Sequence, residues 1–177
     1  MTIQIEPGKS SDINAVAQLY DDVNDHLEQT TNYPGWAKGF YPTKADAEGC
    51  IGDGSLFILK ADGEIAGSVV LNRSQWEAYS QVTWGVEAKP HEVIVVNKLV
   101  VHPNFMGRGI ARKLMDFAKD YAMQQGAKAI RLDVTVQNTP AIALYEKCGY
   151  TYMGTVDLGL PFEHLKWFKL YELVLDY

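Results

Sequence analysis

The chain is short of cysteine, of positive charge and of long apolar runs. Its 177 residues include 2 cysteines, Cys50 and Cys148, which lie far apart and outside any CxxC pattern. Neither a disulfide framework nor a zinc-cysteine cluster is therefore expected. The 16 lysines and arginines against 22 aspartates and glutamates give a net charge of −6, which disfavours binding to nucleic acid. Since no apolar run approaches the roughly 20 residues of a membrane-spanning helix, a membrane partner is not expected either.

The length and composition fit a soluble globular protein, with 47% hydrophobic and 21% charged residues. We expect one domain over residues 1–177, large enough to bury about 70% of its unfolded surface. The first residues, MTIQIEPGKS, lack a charged start followed by an apolar stretch, so no targeting segment is predicted and a cytoplasmic location is expected. No metal site is expected, because the histidines are dispersed and form no HExxH pattern. They are His26, His91, His102 and His164.

Hydrophobic periodicity predicts seven strands and four helices. A hairpin is predicted around Asp62-Gly63, because this pair tolerates the positive φ angles of a tight turn. Thr43 with Asp46 predicts the capped start of a short helix. Pro140 suits the first turn of another, capped by Asn138 or Thr139. From Arg73 to His91 the pattern weakens, and a loop or a bent strand is expected there.

The middle of the chain predicts a parallel strand–helix–strand unit. The residues from Val93 to Val101 form the most apolar segment and indicate a buried strand. An amphipathic helix follows, with Ile110 and Leu114 on its apolar face, and ends near Gly126. The next strand, Ala129 to Val136, returns parallel to the first through a right-handed crossover.

A glycine-bearing turn joins this central strand to its helix and is the most informative feature of the sequence. The turn reads Met106-Gly107-Arg108-Gly109-Ile110-Ala111. A helix N-terminus carries unpaired N–H groups and a positive dipole end, and small residues allow an anion to approach this backbone. Basic side chains near the first turn, Arg108, Arg112 and Lys113, favour the same reading. A strand-to-helix turn with solvated basic residues is the alternative.

Other phosphate motifs do not fit this turn. A dinucleotide-binding fingerprint needs a third small residue after Gly107-Arg108-Gly109, but Ile110-Ala111-Arg112 follows here. A P-loop needs Gly-Lys-Ser or Gly-Lys-Thr, which does not follow either.

A second segment, Asn138-Thr139-Pro140-Ala141-Ile142-Ala143-Leu144-Tyr145 and on to Tyr150, follows the strand after the glycine-turn helix. Together the two segments resemble the GNAT superfamily of acyl-CoA-dependent N-acetyltransferases, whose phosphate-binding motif is (Gln/Arg)-x-x-Gly-x-(Gly/Ala). Met106 departs from it at the first position. The resemblance implies an α/β fold with a mixed, largely antiparallel sheet of about seven strands, a parallel splayed pair in its middle and helices on both faces. It also implies acetyl-CoA as co-substrate.

The family resemblance assigns roles to individual residues. Tyr145 is expected to protonate the leaving thiolate as general acid, and a backbone N–H, that of Leu99, is a candidate oxyanion donor. A tyrosine packed in the core with a locally satisfied hydroxyl is the alternative for Tyr145. The expected acetyl-CoA-binding residues are Leu99, Val100 and Val101 along the pantetheine arm, Met106, Gly107, Arg108, Gly109, Ile110, Ala111 and Arg112 at the pyrophosphate, and Asn138, Ala141 and Tyr145.

The general base is less clearly indicated. The central strand carries Val95 and Asn97 in its middle and a carboxylate, Glu92, only at its start. Glu92 is therefore the candidate base, with His91 or an ordered water as rivals, and Asp133 on the next strand is another possible carboxylate.

The acceptor site is expected in the aromatic-rich variable parts of the chain, because aromatic rings hold cationic or apolar amines. Ordinary core packing is the alternative for each of these residues. They are Tyr33, Trp36, Tyr41, Trp76, Tyr79, Trp84 and Phe162.

These features predict an N-acetyltransferase that transfers acetyl from acetyl-CoA to a primary amine of a small molecule or of a peptide or protein by direct attack. A non-catalytic acyl-CoA-binding regulatory module is the alternative, suggested by Met106 and the missing mid-strand carboxylate. The acceptor, the acyl length and the oligomeric state, including a homodimer, stay open.

Overall fold

The computed structural model describes residues 1–177. Four helices and seven strands form the regular structure, joined in places by short 3-10 turns. The helices are α1 (Ile13–Gln29), α2 (Lys44–Gly52), α3 (Ile110–Gln124) and α4 (Thr139–Lys147). The strands are β1 (Ile3–Pro7), β2 (Leu56–Ala61), β3 (Glu64–Asn72), β4 (Val93–Val101), β5 (Ala129–Thr135), β6 (Thr151–Asp157) and β7 (Trp167–Val174). None of the helices has both the length and the apolar composition required to cross a bilayer.

The seven strands form one mixed sheet in the order β1-β2-β3-β4-β5-β7-β6. Antiparallel pairing joins β1 to β2, β2 to β3, β5 to β7 and β6 to β7. The β4–β5 pair is parallel, and its register runs from Val93 opposite Ala129 to Val95 opposite Arg131. Three paired positions are few for strands of nine and seven residues. The predicted fold class and its central parallel pair are confirmed.

Local chemistry explains several of the element boundaries. Thr43 and Asp46 form a reciprocal capping box at the start of α2, and the Asn138 side chain accepts a hydrogen bond from the Ala141 N–H at the start of α4. In the β2–β3 hairpin, Asp62 has φ 50° and Gly63 φ 85°, as a tight turn of this kind requires. These three predictions are confirmed.

The chain divides into two compact units. The first comprises residues 1–32, 36–71 and 98–117. Its core is formed where the apolar face of α1, including Val16, Leu19 and Tyr20, packs with Leu56 and Ile58 of β2. This burial of apolar area is the main source of the unit's stability.

The second unit comprises residues 33–35, 72–97 and 118–177. One of its hydrophobic clusters combines Tyr79 with Val156, Leu158, Phe168 and Leu170. The segment from Arg73 to His91, expected as a loop or a bent strand, contains no strand and folds as a loop with 3-10 turns at Glu77–Gln81 and Pro90–Glu92. The segment lacks regular secondary structure, and Tyr79 anchors it in the core of the second unit.

Gly67 of β3 gives a stability prediction, because a Cβ atom there would lie 2.6 Å from the backbone oxygen of Val100. The Val100 backbone cannot move away from the added methyl group as a flexible side chain could. Gly67→Ala should therefore lower the free energy of unfolding, measured by chemical denaturation, by roughly 1–3 kcal/mol. Gly49 in α2 is the matched control, since its Cβ would meet nothing within 4 Å. Gly49→Ala should instead stabilise by about 0.5–1 kcal/mol. Equal unfolding midpoints for the two variants would contradict this account.

Candidate active site

The glycine turn of the first unit presents open backbone at the start of α3. Gly107 and Gly109 have φ angles of 74° and 76°, a region that favours glycine. A Cβ atom at either position would meet nothing within 4 Å. Ile110 is buried and fixes the start of the helix against the core. The turn therefore exposes N–H groups of the first helical turn on a fixed base, as an anion site requires.

The basic side chains near this turn have different interaction partners. The Arg108 guanidinium lies 5.4 Å from the centroid of the Phe105 ring. Arg112 forms a surface ion pair with Asp116, with 3.1 Å between Nε and Oδ1. Met106 is 56% exposed, and it contributes no charge. Arg108 therefore forms no ion pair with a carboxylate of the chain, whereas Arg112 does.

The preceding strand residues include a backbone irregularity. Lys98 has φ 45°, a left-handed conformation that a residue with a Cβ rarely adopts, and such strain is frequent near functional sites. The Lys98 ammonium lies 5.4 Å from the centroid of the Tyr41 ring. After it, Val100 is buried and Leu99 and Val101 are half-buried. The backbone of β4 is thus irregular directly before the three residues expected along the pantetheine arm, although the strand continues to Val101.

In the second unit, Tyr145 lies on α4 with an unused hydroxyl. Its side chain is 7% exposed, and its ring lies 6.2 Å from that of Tyr150 and 6.4 Å from that of Tyr171, centroid to centroid. No hydrogen bond within the chain engages its hydroxyl, and this oxygen is not sealed from solvent. Burial raises the pKa of Tyr145 above its ordinary value, and its hydroxyl is protonated at neutral pH, as that of an ordinary tyrosine is. The locally satisfied core tyrosine considered from the sequence is therefore not what the structure contains.

Asp133 lies on β5 and is half-buried. The Tyr79 hydroxyl donates a hydrogen bond of 2.6 Å to its Oδ2 atom. Burial raises the pKa of Asp133 to about 6, and the Tyr79 hydrogen bond opposes that rise. The negative charge of Asp133 also raises the pKa of Tyr145. The three side chains therefore form one electrostatically coupled group.

Glu92 has a different environment. Its carboxylate accepts a hydrogen bond of 2.8 Å from the Lys89 N–H and lies 3.2 Å from the Lys128 ammonium. These partners lower the pKa of Glu92 and make it a weaker base than Asp133. His91 is exposed, and its backbone oxygen accepts a hydrogen bond from Arg73. Of the two carboxylates considered from the sequence, Asp133 has the better chemistry for a base.

A buried Arg131 network holds the irregular segment between β3 and β4, and sequence reasoning missed it. Arg131 is 4% exposed, and its Nε lies 2.9 Å from a carboxylate oxygen of Glu172 on β7. Its other nitrogens donate to Gln75 Oε1 at 3.0 Å and to the Val86 carbonyl at 3.1 Å. Its guanidinium lies 4.2 Å from the centroid of Trp84. An arginine between Ile130 and Leu132 in an apolar strand was the available signal.

The aromatic candidates for the acceptor site differ in exposure. Trp36 packs against the core of the first unit, and Tyr79 and Trp84 pack in the second. The others have at least a third of their surface exposed, namely Tyr33, Tyr41, Trp76 and Phe162.

Known proteins similar in sequence agree with this picture. A sequence model of the Acetyltransferase (GNAT) family matches residues 18–150. A streptothricin acetyltransferase of Streptomyces lavendulae is 32% identical over 109 residues, 61% of this chain and 50% of that protein. The chain thus spans about half of that relative. The uncharacterized N-acetyltransferase YhfO of Bacillus subtilis is 28% identical over 148 residues, 84% of this chain and 89% of that protein.

Solved structures share the fold. A GNAT-family acetyltransferase from Streptococcus agalactiae superposes with a TM-score of 0.81 at 18% identity, over 99% of this chain and 96% of that one. The yncA protein from Salmonella typhimurium, solved with acetyl-CoA, gives a TM-score of 0.71 at 18% identity, over 99% and 95% of the two chains. The sheet order, the glycine turn and the match over residues 18–150 lead to one conclusion: this chain belongs to the GNAT family of acetyltransferases.

Proposed function

We propose that this protein is a cytoplasmic N-acetyltransferase that moves the acetyl group of acetyl-CoA to a primary amine of a small molecule by direct attack. The observation that carries the proposal is the buried position of Tyr145 on α4, where its protonated hydroxyl makes no hydrogen bond within the chain and is not sealed from solvent. Family membership supports acetyl transfer as the reaction, and yncA supports acetyl-CoA as the donor, since that protein of the same fold was solved with it.

The glycine turn fits the pyrophosphate of acetyl-CoA. The open space beside Gly107 and Gly109 is a surface that side chains would fill, and the helix N-terminus supplies N–H donors and a favourable dipole. Arg108 adds a positive charge beside the turn. Backbone donors do most of the binding in this arrangement, so a methionine at position 106 is tolerated.

The residues that act in the reaction have separate tasks. Acetyl-CoA supplies an activated acyl group, so no covalent bond to the protein is required, and positioning gives much of the acceleration. Tyr145 donates its hydroxyl proton to the leaving sulfur. The Leu99 N–H is the proposed donor to the acetyl oxygen. Asn138 and Ala141, at the start of α4, are proposed to line the pantetheine.

A small-molecule acceptor is favoured by the name of one kind of relative. A streptothricin acetyltransferase of Streptomyces lavendulae is an example, and its name indicates a small-molecule amine. The exposed rings of Tyr33, Tyr41, Trp76 and Phe162 suit recognition of such a molecule.

An amine panel tests the proposed reaction. Thiol release from acetyl-CoA should depend on the added amine, with at least one small-molecule primary amine, streptothricin included, turned over faster than peptide N-termini. Longer acyl-CoA donors in the same assay define the acyl length. Tight coenzyme A binding without turnover of any amine or peptide would instead support the regulatory module.

Tyr145→Phe tests the acid role. Loss of the hydroxyl should lower kcat by about 10²–10⁴-fold, the usual contribution of a general acid, at saturating substrates. The Kd for acetyl-CoA should change little, because the ring stays in place. Tyr152→Phe is the matched control, since Tyr152 is exposed and its hydroxyl pairs with Thr155. Full activity in Tyr145→Phe would remove the acid role.

Gly109→Ala tests the pyrophosphate site. A Cβ at this positive φ strains the turn and moves the first N–H groups of α3, so the Kd for acetyl-CoA should rise at least about tenfold in calorimetry, or about 1.4 kcal/mol. Gly126 lies beyond the other end of the same helix, with φ 68° and no atom near its Cβ. Gly126→Ala therefore carries similar strain and should leave the Kd unchanged. Equal Kd values for both variants would contradict anion binding at the turn.

A further inference from the structure

The irregular segment between β3 and β4 reaches the same face of β5 at two points. Arg131 and Asp133 are two residues apart on this strand, so their side chains point to the same side of the sheet. Gln75 and Val86 of the segment bind Arg131, and Tyr79 between them binds Asp133. The segment therefore spans the two charged side chains, with Tyr79 held between its two attachments to Arg131.

Trp84 connects the arginine network directly to Tyr79. Its ring lies 4.2 Å from the Arg131 guanidinium and 5.4 Å from the Tyr79 ring. Its Nε1 donates to the Tyr79 carbonyl at 2.9 Å. The Tyr79 ring itself is 2% exposed and packs with Phe168 and Leu170. Both the backbone and the ring of Tyr79 are thus fixed, and its hydroxyl is presented to Asp133 in one geometry.

On the basis of the proposed function, we propose that Asp133 is the general base that takes the proton of the attacking amine, and that Tyr79 is the positioning residue that holds its carboxylate. A carboxylate only accepts hydrogen bonds, so the Tyr79 hydroxyl is the donor. It engages Oδ2, while no hydrogen bond of the chain engages Oδ1, which is not sealed from solvent. One oxygen is held and the other is free for an incoming N–H.

The proton transfers balance with the groups present. The carbon–nitrogen bond forms as the carbon–sulfur bond breaks, and the nitrogen loses one proton to Asp133. The sulfur gains one proton from Tyr145, which becomes a tyrosinate. Protonated Asp133 then returns its proton to Tyr145, either directly or through water. The products are the amide and the free thiol, and both side chains recover their starting states without a further reactant.

The charged and titratable groups around Asp133 support this assignment. Burial favours its neutral form, and the Tyr79 donor favours its charged form, leaving a pKa of about 6. The charge of the same carboxylate raises the pKa of Tyr145. The positive charge of Arg131 opposes the rise in the pKa of Tyr79 that burial causes. A base with a pKa of about 6 is charged at neutral pH and is stronger than an ordinary aspartate. Glu92, with its lowered pKa and its Lys128 partner, lacks this property.

The pH profile of Tyr79→Phe tests the proposal. In the wild-type protein, kcat/KM should fall as the pH drops through about 6, because protonated Asp133 cannot accept a proton. Loss of the Tyr79 donor removes an interaction that favours the charged carboxylate. The acidic limb should therefore move to higher pH in Tyr79→Phe, with kcat lowered about tenfold or more at pH 6.5 and much of this loss recovered at pH 8.5. Tyr152→Phe is the matched control and should keep the wild-type profile.

Asp133→Asn and an NMR titration complete the test. Asp133→Asn should lower kcat by about 10²-fold or more and abolish the acidic limb. The ¹³C carboxyl resonance that this variant lacks identifies Asp133, and its titration midpoint should be higher in Tyr79→Phe than in the wild type. An unmoved midpoint and limb in Tyr79→Phe would overturn the role of Tyr79, and a fully active Asp133→Asn would overturn the base. Either result would leave the proposed acetyltransferase function standing. Absence of turnover with every amine would contradict both the proposed function and the assignment of Asp133 as base.

Discussion

The buried ion pair between Arg131 and Glu172 is the interaction on which the second unit depends. Taking two charges out of water costs several kcal/mol each unless every polar atom finds a partner. Here the guanidinium is shared among Glu172, Gln75, the Val86 carbonyl and the Trp84 ring. The second oxygen of Glu172 accepts the Gly85 N–H at 2.8 Å. Because most of these partners belong to one irregular segment, the pair determines where that segment lies.

Burial acts on the two reactive side chains in complementary ways. Placing a tyrosine or an aspartate in a poorly solvated region disfavours its charged form and raises its pKa. For Tyr145 this favours the protonated hydroxyl, which is the form that has a proton to give, and makes that hydroxyl a weaker acid than an ordinary tyrosine. For Asp133 it raises the pKa only to about 6, so the side chain is still charged at neutral pH but binds a proton more tightly than usual. One physical cause thus yields a candidate acid and a candidate base.

The sequence predicted those features that depend on local chemistry. The hairpin at Asp62-Gly63, the Thr43 capping box and the Asn138 cap each involve residues within a few positions of one another, and the structure contains all three. The segment from Arg73 to His91 is predicted only as a loop or a bent strand, because Arg131 and Asp133 hold it from more than forty positions away. Glu92 is the candidate base from its place at the start of the central strand, and neither its Lys128 partner nor the Tyr79 partner of Asp133 is visible to local patterns.

A methionine at position 106, where the family motif has Gln or Arg, is compatible with anion binding at the turn. A side-chain donor at this position adds one directed hydrogen bond, whereas the turn offers several backbone donors whose positions are fixed by the helix. Met106 is exposed and outside the core, so its identity matters little for folding. The identities of Gly107 and Gly109 do matter, because the turn requires the positive φ angles that these two residues adopt. The backbone geometry, rather than the first side chain of the motif, is therefore the part of the site under the stronger physical constraint.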